Sequence, residues 1–165
     1  MNDLLPNLIE ALREELKQYG EMLARLDQQQ NLVMLRQTTD LMQNVGAVNA
    51  QAATIAAARR EREQHQRHLA RRLNLPESAG FGAIVPLLPA DYRPLVVALV
   101  QENNELLVRV QQRARQNHLL LSHAVELMQQ LINSIIPGAA PTTYNDAGRV
   151  SSAGLPQQAL YQAVG

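Results

Sequence analysis

Apolar residues recur in a coiled-coil pattern along the last long stretch of the chain, from Leu95 to Ile136. This stretch holds no proline or glycine, and as a single helix it would be about 60 Å long. Its repeating, mostly apolar positions follow alternating steps of four and three, the spacing of a heptad seam. They are Val96, Val100, Asn103, Leu107, Val110, Ala114, Asn117, Leu121, Ala124, Met128, Leu131 and Ile135. Four further leucines widen the stripe, namely Leu99, Leu106, Leu120 and Leu127. A stripe this wide predicts a multi-helix bundle arranged around this helix.

A first helix is predicted at the amino terminus. Asn2 or Asp3 can cap it, and heptad positions then run from Leu5 to Leu26. The polar run at residues 27–31 interrupts the apolar pattern. We therefore expect the first helix to end within this run.

A second helix is predicted from about Leu32 to about Asn74, with Asn31 as its cap. Its apolar seam consists of Leu41, Val45, Val48, Ala52, Ile55, Leu69 and Leu73, and a kink or break is expected near Thr38, Thr39 or Gly46. Within the seam, Arg59, Arg62 and Gln66 occupy positions that should face a neighbour. Because such side chains resist burial, we expect this part either to project into water or to lay its arginine stems over the next helix. Docking of an acidic segment is the alternative.

The chain between Asn74 and Pro94 contains several prolines and glycines, which predict an irregular connector over residues 75–94. Its residues 83–85 and 87–88 are too apolar to face water, so we expect the connector to fold back over one end of the bundle. Pro137 ends the last helix and begins a tail at 137–165. In this tail, residues 145–148 could close a short hairpin, and the last residues could form one or two helical turns. A disordered tail is an equal alternative.

The predicted fold is therefore all-α: an antiparallel bundle of long coiled-coil-like helices with an irregular proline-rich connector and a short carboxyl-terminal tail. Residues 1–136 form one helical bundle domain. Hydrophobic residues make up 46% of the chain but aromatic residues only 3%, so the core must be aliphatic. We expect Leu12, Leu16, Leu69, Leu107, Leu121 and Leu127 to be largely buried between helices.

Composition and charge narrow the function classes. The formal net charge is zero, which gives no general attraction to nucleic acid or to an acidic membrane. The absence of cysteine removes disulfides and thiol chemistry, and it fits the cytoplasm. No apolar run approaches about 18 residues, and the amino terminus lacks a secretory signal, so we expect no membrane span.

Candidate catalytic and metal-binding groups are sparse. His65 and His68 are three residues apart, and His118 and His123 are five apart, neither of which is a ligand pair on one helical face. A zinc site at His123 would need a carboxylate such as Glu126 and further ligands. No phosphate-binding loop or nucleophile motif is present. The sequence predicts no enzyme activity, no metal and no cofactor.

Asn103 and Asn117 are polar residues at seam positions. One interpretation is that each forms hydrogen bonds within the bundle, where a polar seam residue can determine register. The other is that this strip is loosely covered in the free protein and accepts a partner helix.

The arrangement of the chain and two local patterns carry a family resemblance. A first helix, a break, a long charged helix that ends in RRLNL at 71–75 and an irregular connector follow one another. NNELL at 103–107 lies early in the last long helix, and TYNDAGR at 143–149 follows that helix. Over roughly residues 1–150 the chain resembles flagellar export chaperones of the FlgN family, although 44–58 and 151–165 depart from the family pattern. The resemblance implies a cytoplasmic, non-catalytic protein. It would hold the two hook-filament junction proteins before type III export and deliver them to the export gate.

We expect the partner site where the apolar stripe of the last helix is not covered by its neighbours. Two shorter apolar stripes must cover a wider one, so part of the last stripe should stay accessible, and exposed stripes of this kind usually mark interfaces. We expect partner binding at Met128, Leu131 and Ile135. The tail residues Tyr144, Leu155, Leu160 and Tyr161 would fold over this site when no partner is bound.

The expected partners are the junction proteins, through their carboxyl-terminal segments, and the export gate. The main alternative is a homo-oligomeric structural coiled-coil protein of another assembly, and a homodimer of the free chaperone also stays open. Nucleic-acid binding is disfavoured because no aromatic residue is interleaved with the arginines at 59–72.

Overall fold

A computed structural model of the chain describes residues 3–135. It contains four α-helices: α1 (Leu4–Met34), α2 (Thr38–Arg72), α3 (Phe81–Ile84) and α4 (Arg93–Ile135). Two 3-10 segments, Val85–Leu87 and Ala90–Tyr92, lie between α3 and α4. The described residues include no β-strand, and the prediction of an all-α fold is confirmed. The expected tail lies outside the described residues.

Helices α1 and α2 run antiparallel, as side-chain contacts between them demonstrate. Asn44 Nδ2 donates to the Arg25 carbonyl at 3.0 Å, and Gln51 Nε2 donates to the Gln18 carbonyl at 3.1 Å. Residue numbers thus rise along one helix as they fall along the other. The three residues 35–37 join the two helices, and Arg36 adopts a left-handed backbone conformation in this turn, with φ of 56°.

Helices α1 and α4 run parallel. Asn103 Nδ2 donates to the Leu12 carbonyl at 3.0 Å, and Asn117 Nδ2 donates to the Leu26 carbonyl at 2.7 Å, so residue numbers rise together. Helix α1 packs along both α2 and α4, whereas α2 and α4 hardly approach each other. The bundle is therefore arranged around the first long helix. The expectation that the last helix is the organising element is wrong.

The expected break at residues 27–31 is absent, because α1 continues to Met34. The polar run stays helical because α4 supplies partners for it. Asn117 Nδ2 donates to Gln29 Oε1 at 3.0 Å, and Arg113 forms an ion pair with Asp27 at 2.7 Å.

Helix α2 accordingly begins at Thr38 and not near Leu32. The break expected near Thr38 or Thr39 is present, because residues 35–37 separate α1 from α2 directly before Thr38. Gly46 is exposed in the helix interior, and α2 passes it without interruption.

The connector closes one end of the bundle, which we call the connector end. Its buried side chains Ala79, Ile84 and Leu88 join a single apolar cluster with residues of all three long helices. The helical members of this cluster are Leu5, Leu8, Ile9, Leu12, Leu69, Ala70, Val96 and Leu99. A second cluster in the middle of the bundle consists of Tyr19, Met22, Leu26, Val48, Ile55, Leu107 and Val110.

The six leucines that we expected in the core divide along the length of the bundle. Leu12, Leu69 and Leu107 are buried, whereas Leu16 and Leu121 are half-buried. Leu127 is 52% exposed, and its expected burial is wrong. The reason is that α1 ends before it reaches this level of α4.

Candidate partner-binding surface

The carboxyl-terminal part of α4 extends beyond the helices that cover the rest of it. In the register that joins Asn117 to Leu26, the end of α1 at Met34 lies level with Val125. Helix α4 therefore continues for about ten residues, or roughly 15 Å, past α1. Every residue from His123 to Ile135 is exposed in the described part of the chain. We call residues 123–135 the overhang.

The overhang is strongly amphipathic. Its apolar side chains are Ala124, Val125, Leu127, Met128, Leu131, Ile132 and Ile135. At 3.6 residues per turn these positions share one side of the helix, and the polar residues take the other side. The apolar side continues the seam that α4 turns towards α1 at Val110 and Asn117. The surface that is core within the bundle is thus not covered by other described residues in the overhang.

The structure places the predicted partner-binding residues on this apolar side. Met128 is 64% exposed, Leu131 is 58% exposed and Ile135 is 69% exposed. Single exposed apolar residues are normal on a protein surface, but a contiguous apolar face usually marks an interface. The predicted tail residues Tyr144, Leu155, Leu160 and Tyr161 lie outside the described residues.

Polar side chains join the helices at the last level of the bundle where α1 still covers α4. Asn44 of α2 and Asn117 of α4 each donate to a carbonyl of α1, and both amide Oδ1 atoms are buried without a hydrogen-bond partner. At the same level Arg113 binds Gln30 and Asp27 of α1. We call this level, together with the turn at 35–37, the open end. Three exposed side chains add apolar surface at the open end, namely Met34, Leu35 and Met42. The sequence pattern does not identify them, because each stands outside the heptad seams.

Asn103 and Asn117 are 7% and 1% exposed, so the interpretation that they form hydrogen bonds within the bundle is correct. The alternative, that these two positions are loosely covered, is wrong. Their amide groups reach main-chain carbonyls of α1 because α4 packs closely along that helix. The accessible part of the stripe begins beyond Asn117.

A buried ion pair joins α1 to α2 near the middle of the molecule. Glu15 accepts hydrogen bonds from Arg62 Nε and Tyr19 Oη, both at 2.8 Å. Arg62 also donates to Gln66, and Gln66 donates to the Ala79 carbonyl in the connector. The expectation that this part of α2 projects into water is wrong for Arg62, because its side chain is 11% exposed and pairs with Glu15 of α1. Burial raises the pKa of the Tyr19 phenol above its ordinary value, and the Glu15 carboxylate adds to the rise.

A cleft of about 240 Å³ lies beside this ion pair, between the three long helices and the connector. Glu15, Tyr19 and Arg62 line it from one side, and Asn103 lines it from the other. The charged groups of this cleft already bind one another, so the cleft offers no set of groups that is poised for catalysis. Within residues 3–135 no three histidine or acidic side chains cluster as metal ligands would. His123 lies 3.9 Å from Glu126 in an exposed pair on the overhang.

A family model described as FlgN protein matches residues 1–152, which is most of the chain. No curated protein and no solved structure matches the chain. In the part of the chain that the structure describes, no helix combines the length and apolarity of a membrane span.

Proposed function

The chain belongs to the FlgN family of flagellar export chaperones, and we propose that it binds the hook-filament junction proteins and delivers them to the type III export gate. We further propose that it does so in the cytoplasm, through the overhang of α4. The observation that carries this proposal is the uncovered apolar side of residues 123–135.

The geometry suggests how a partner would bind. Beyond the level of Val125 α1 has ended, so α1 no longer covers α4 there. A partner helix placed there would continue the bundle and cover Met128, Leu131 and Ile135, in the manner of an amphipathic helix in a groove. We propose the carboxyl-terminal segment of a junction protein as this helix. The exposed Met34 and Leu35 at the end of α1 would meet one end of it.

Two matched variants test the site. Met128→Gln with Leu131→Gln removes two apolar side chains from the overhang, whereas Val97→Gln with Val108→Gln makes the same change at exposed positions elsewhere on α4. Burying each side chain contributes about 1.5 to 3 kcal/mol. By calorimetry with the junction-protein segment, we expect the overhang variant to bind at least about 100-fold more weakly. The control variant should bind within about three-fold of the parent.

Equal losses in both variants would contradict a site on the overhang. Self-association without any heterocomplex would favour the structural coiled-coil alternative. Circular dichroism should show the same helix content in both variants, because all four positions are exposed.

We propose that the tail residues Tyr144, Leu155, Leu160 and Tyr161 compete with the partner for the overhang. A chain that ends at Ile136 tests this idea, because the tail begins directly after the overhang. Tighter binding by the shortened chain supports an occluding tail, and lost binding makes the tail part of the site. Unchanged affinity contradicts both roles.

A further inference from the structure

Helix α2 carries a basic stripe on its outer surface. Arg60, Gln64, Arg67 and Arg71 follow one another in steps of four, three and four, and all four are exposed. Positions with this spacing lie on one side of a helix, and this stripe is roughly 16 Å long. Residues 59–72 contain six arginines and only two glutamates, so the charge is local in a chain of zero net charge.

The arginines of the basic stripe are largely uncompensated. Arg60 and Arg67 have no carboxylate within ion-pair distance among residues 3–135. Arg71 contacts Glu77 at 2.7 Å in an exposed pair, and its hydrogen bond holds the pKa of that carboxyl below its usual range. The arginines on the inner side of α2 differ, since Arg62 is paired with Glu15.

Helix α1 carries an acidic stripe with the same spacing. Glu10, Glu14, Lys17 and Glu21 are all exposed and also follow steps of four, three and four. Glu21 has no cationic partner among residues 3–135, whereas Glu10 and Glu14 meet Arg13 and Lys17 in exposed pairs along the helix. The acidic stripe cannot reach the basic stripe of its own chain, because α1 and α2 pack together through other sides.

The two stripes match when the helices run antiparallel. The facing positions are then Glu10 with Arg71, Glu14 with Arg67, Lys17 with Gln64, and Glu21 with Arg60. The one basic residue of the acidic stripe therefore meets the one neutral residue of the basic stripe. In the parallel orientation Lys17 would face Arg67, which is repulsive. The next positions of the two stripes are Ala24 and Ala57, both exposed and small enough for close approach of the backbones.

We propose that the acidic stripe of one copy docks antiparallel on the basic stripe of a second copy. A second copy is the occupant because it carries the complementary charges at the matching spacing. Exposed ion pairs contribute little individually and are screened by salt, so the association is weak, reversible and sensitive to ionic strength. The stripes lie outside the overhang. Self-association therefore leaves the proposed partner site free.

Charge exchange tests the interface. One variant carries Arg60→Glu with Arg67→Glu, and the other carries Glu14→Arg with Glu21→Arg. Each variant alone should associate at least about ten-fold more weakly than the parent, as measured by sedimentation equilibrium of the full chain in 50 mM NaCl. An equimolar mixture should regain the association of the parent, because each stripe then meets its opposite. In 500 mM NaCl the association of the parent should also fall at least about ten-fold.

The control carries Arg109→Glu with Arg115→Glu, which makes the same charge change at exposed positions of α4 and should associate like the parent. A parent that stays monomeric at 200 μM overturns the proposal. So does a mixture that regains nothing, or association that persists in 500 mM NaCl, as apolar contact of two overhangs would. If a reversed variant loses helix content, the neutral changes Arg60→Gln with Arg67→Gln replace it.

Binding of the junction-protein segment by the reversed variants separates this interface from the proposed partner site, since that binding should be unchanged.

Discussion

The connector end and the open end of this bundle are built along the same helices but differ in chemistry. At the connector end, α1, α2, α4 and the connector bury one apolar cluster, with Leu8, Ile84 and Val96 wholly excluded from solvent. At the open end, Asn44, Asn117 and polar side chains of α1 hold the helices together, and α4 then continues uncovered.

This difference in packing gives the two ends of the bundle different roles, one in stability and the other in binding. A close-packed apolar cluster resists local opening, whereas contacts through polar groups with unpartnered atoms contribute little net free energy. Regions of few buried apolar contacts are where proteins open locally. The connector end is thus suited to hold the bundle together. The open end presents an apolar surface that a partner can cover and release.

The largest expected effect on stability is the contrast between two leucines, one at each end of the bundle. Leu69 is 1% exposed at the connector end, and Leu69→Ala should lower the free energy of unfolding by about 2 to 5 kcal/mol. Leu127→Ala in the overhang should change it by less than about 0.5 kcal/mol. Urea unfolding followed by circular dichroism measures both. Similar losses at the two positions would show that the ends do not differ in packing.

The buried ion pair should give the next largest effect. Arg62→Met removes the guanidinium that lies 2.8 Å from the buried Glu15 carboxylate, which should cost about 3 kcal/mol. Arg60→Met, at an exposed position of the same helix, is the control and should cost less than about 0.5 kcal/mol. Urea unfolding measures the loss of unfolding free energy in both variants. Equal, small losses would show that the Arg62 guanidinium lies in solvent.

Tyr19 should make stability depend on alkaline pH. Tyr19→Phe removes a hydrogen bond to a carboxylate and should cost roughly 2 kcal/mol at neutral pH. Because the folded-state pKa of Tyr19 is raised, its contribution is complete below the unfolded-state pKa of about 10 and is lost as pH rises through the folded-state value. Urea unfolding at a series of pH values above about 9 should show a steeper decline for the parent than for Tyr19→Phe. Tyr92→Phe, at an exposed tyrosine, should keep the decline of the parent.

The smallest effect is expected at the open end. Asn117→Leu removes the donor to the Leu26 carbonyl and to Gln29 but also an unpartnered buried Oδ1, so stability should stay within about 1 kcal/mol of the parent. Leu107→Asn makes the reverse change in the apolar middle cluster and should cost at least about 2 kcal/mol. Thermal unfolding of the two variants side by side measures the contrast. A large loss in Asn117→Leu would mean that the polar level is a main source of stability.

The long helices were largely predictable from the pattern, and so was part of the core. The last helix was expected from Leu95 to Ile136 and lies at Arg93–Ile135. Heptad spacing also identified Leu12, Leu69 and Leu107 as buried. It failed for Leu127, because periodicity defines which side of a helix is apolar but not how far a neighbour extends along it.

The sequence by itself determined the helical segments, their apolar sides and the family, because these follow from spacing and local motifs within the chain. Only the tertiary structure decided that α1 lies between α2 and α4, and that the polar run at 27–31 stays helical. It also decided that the buried Glu15 compensates the charge of Arg62, whose side chain is largely shielded from solvent. The physical reason is common to all three. Each depends on a contact between residues far apart in the chain, and a polar or charged group is buried only where such a distant partner satisfies it.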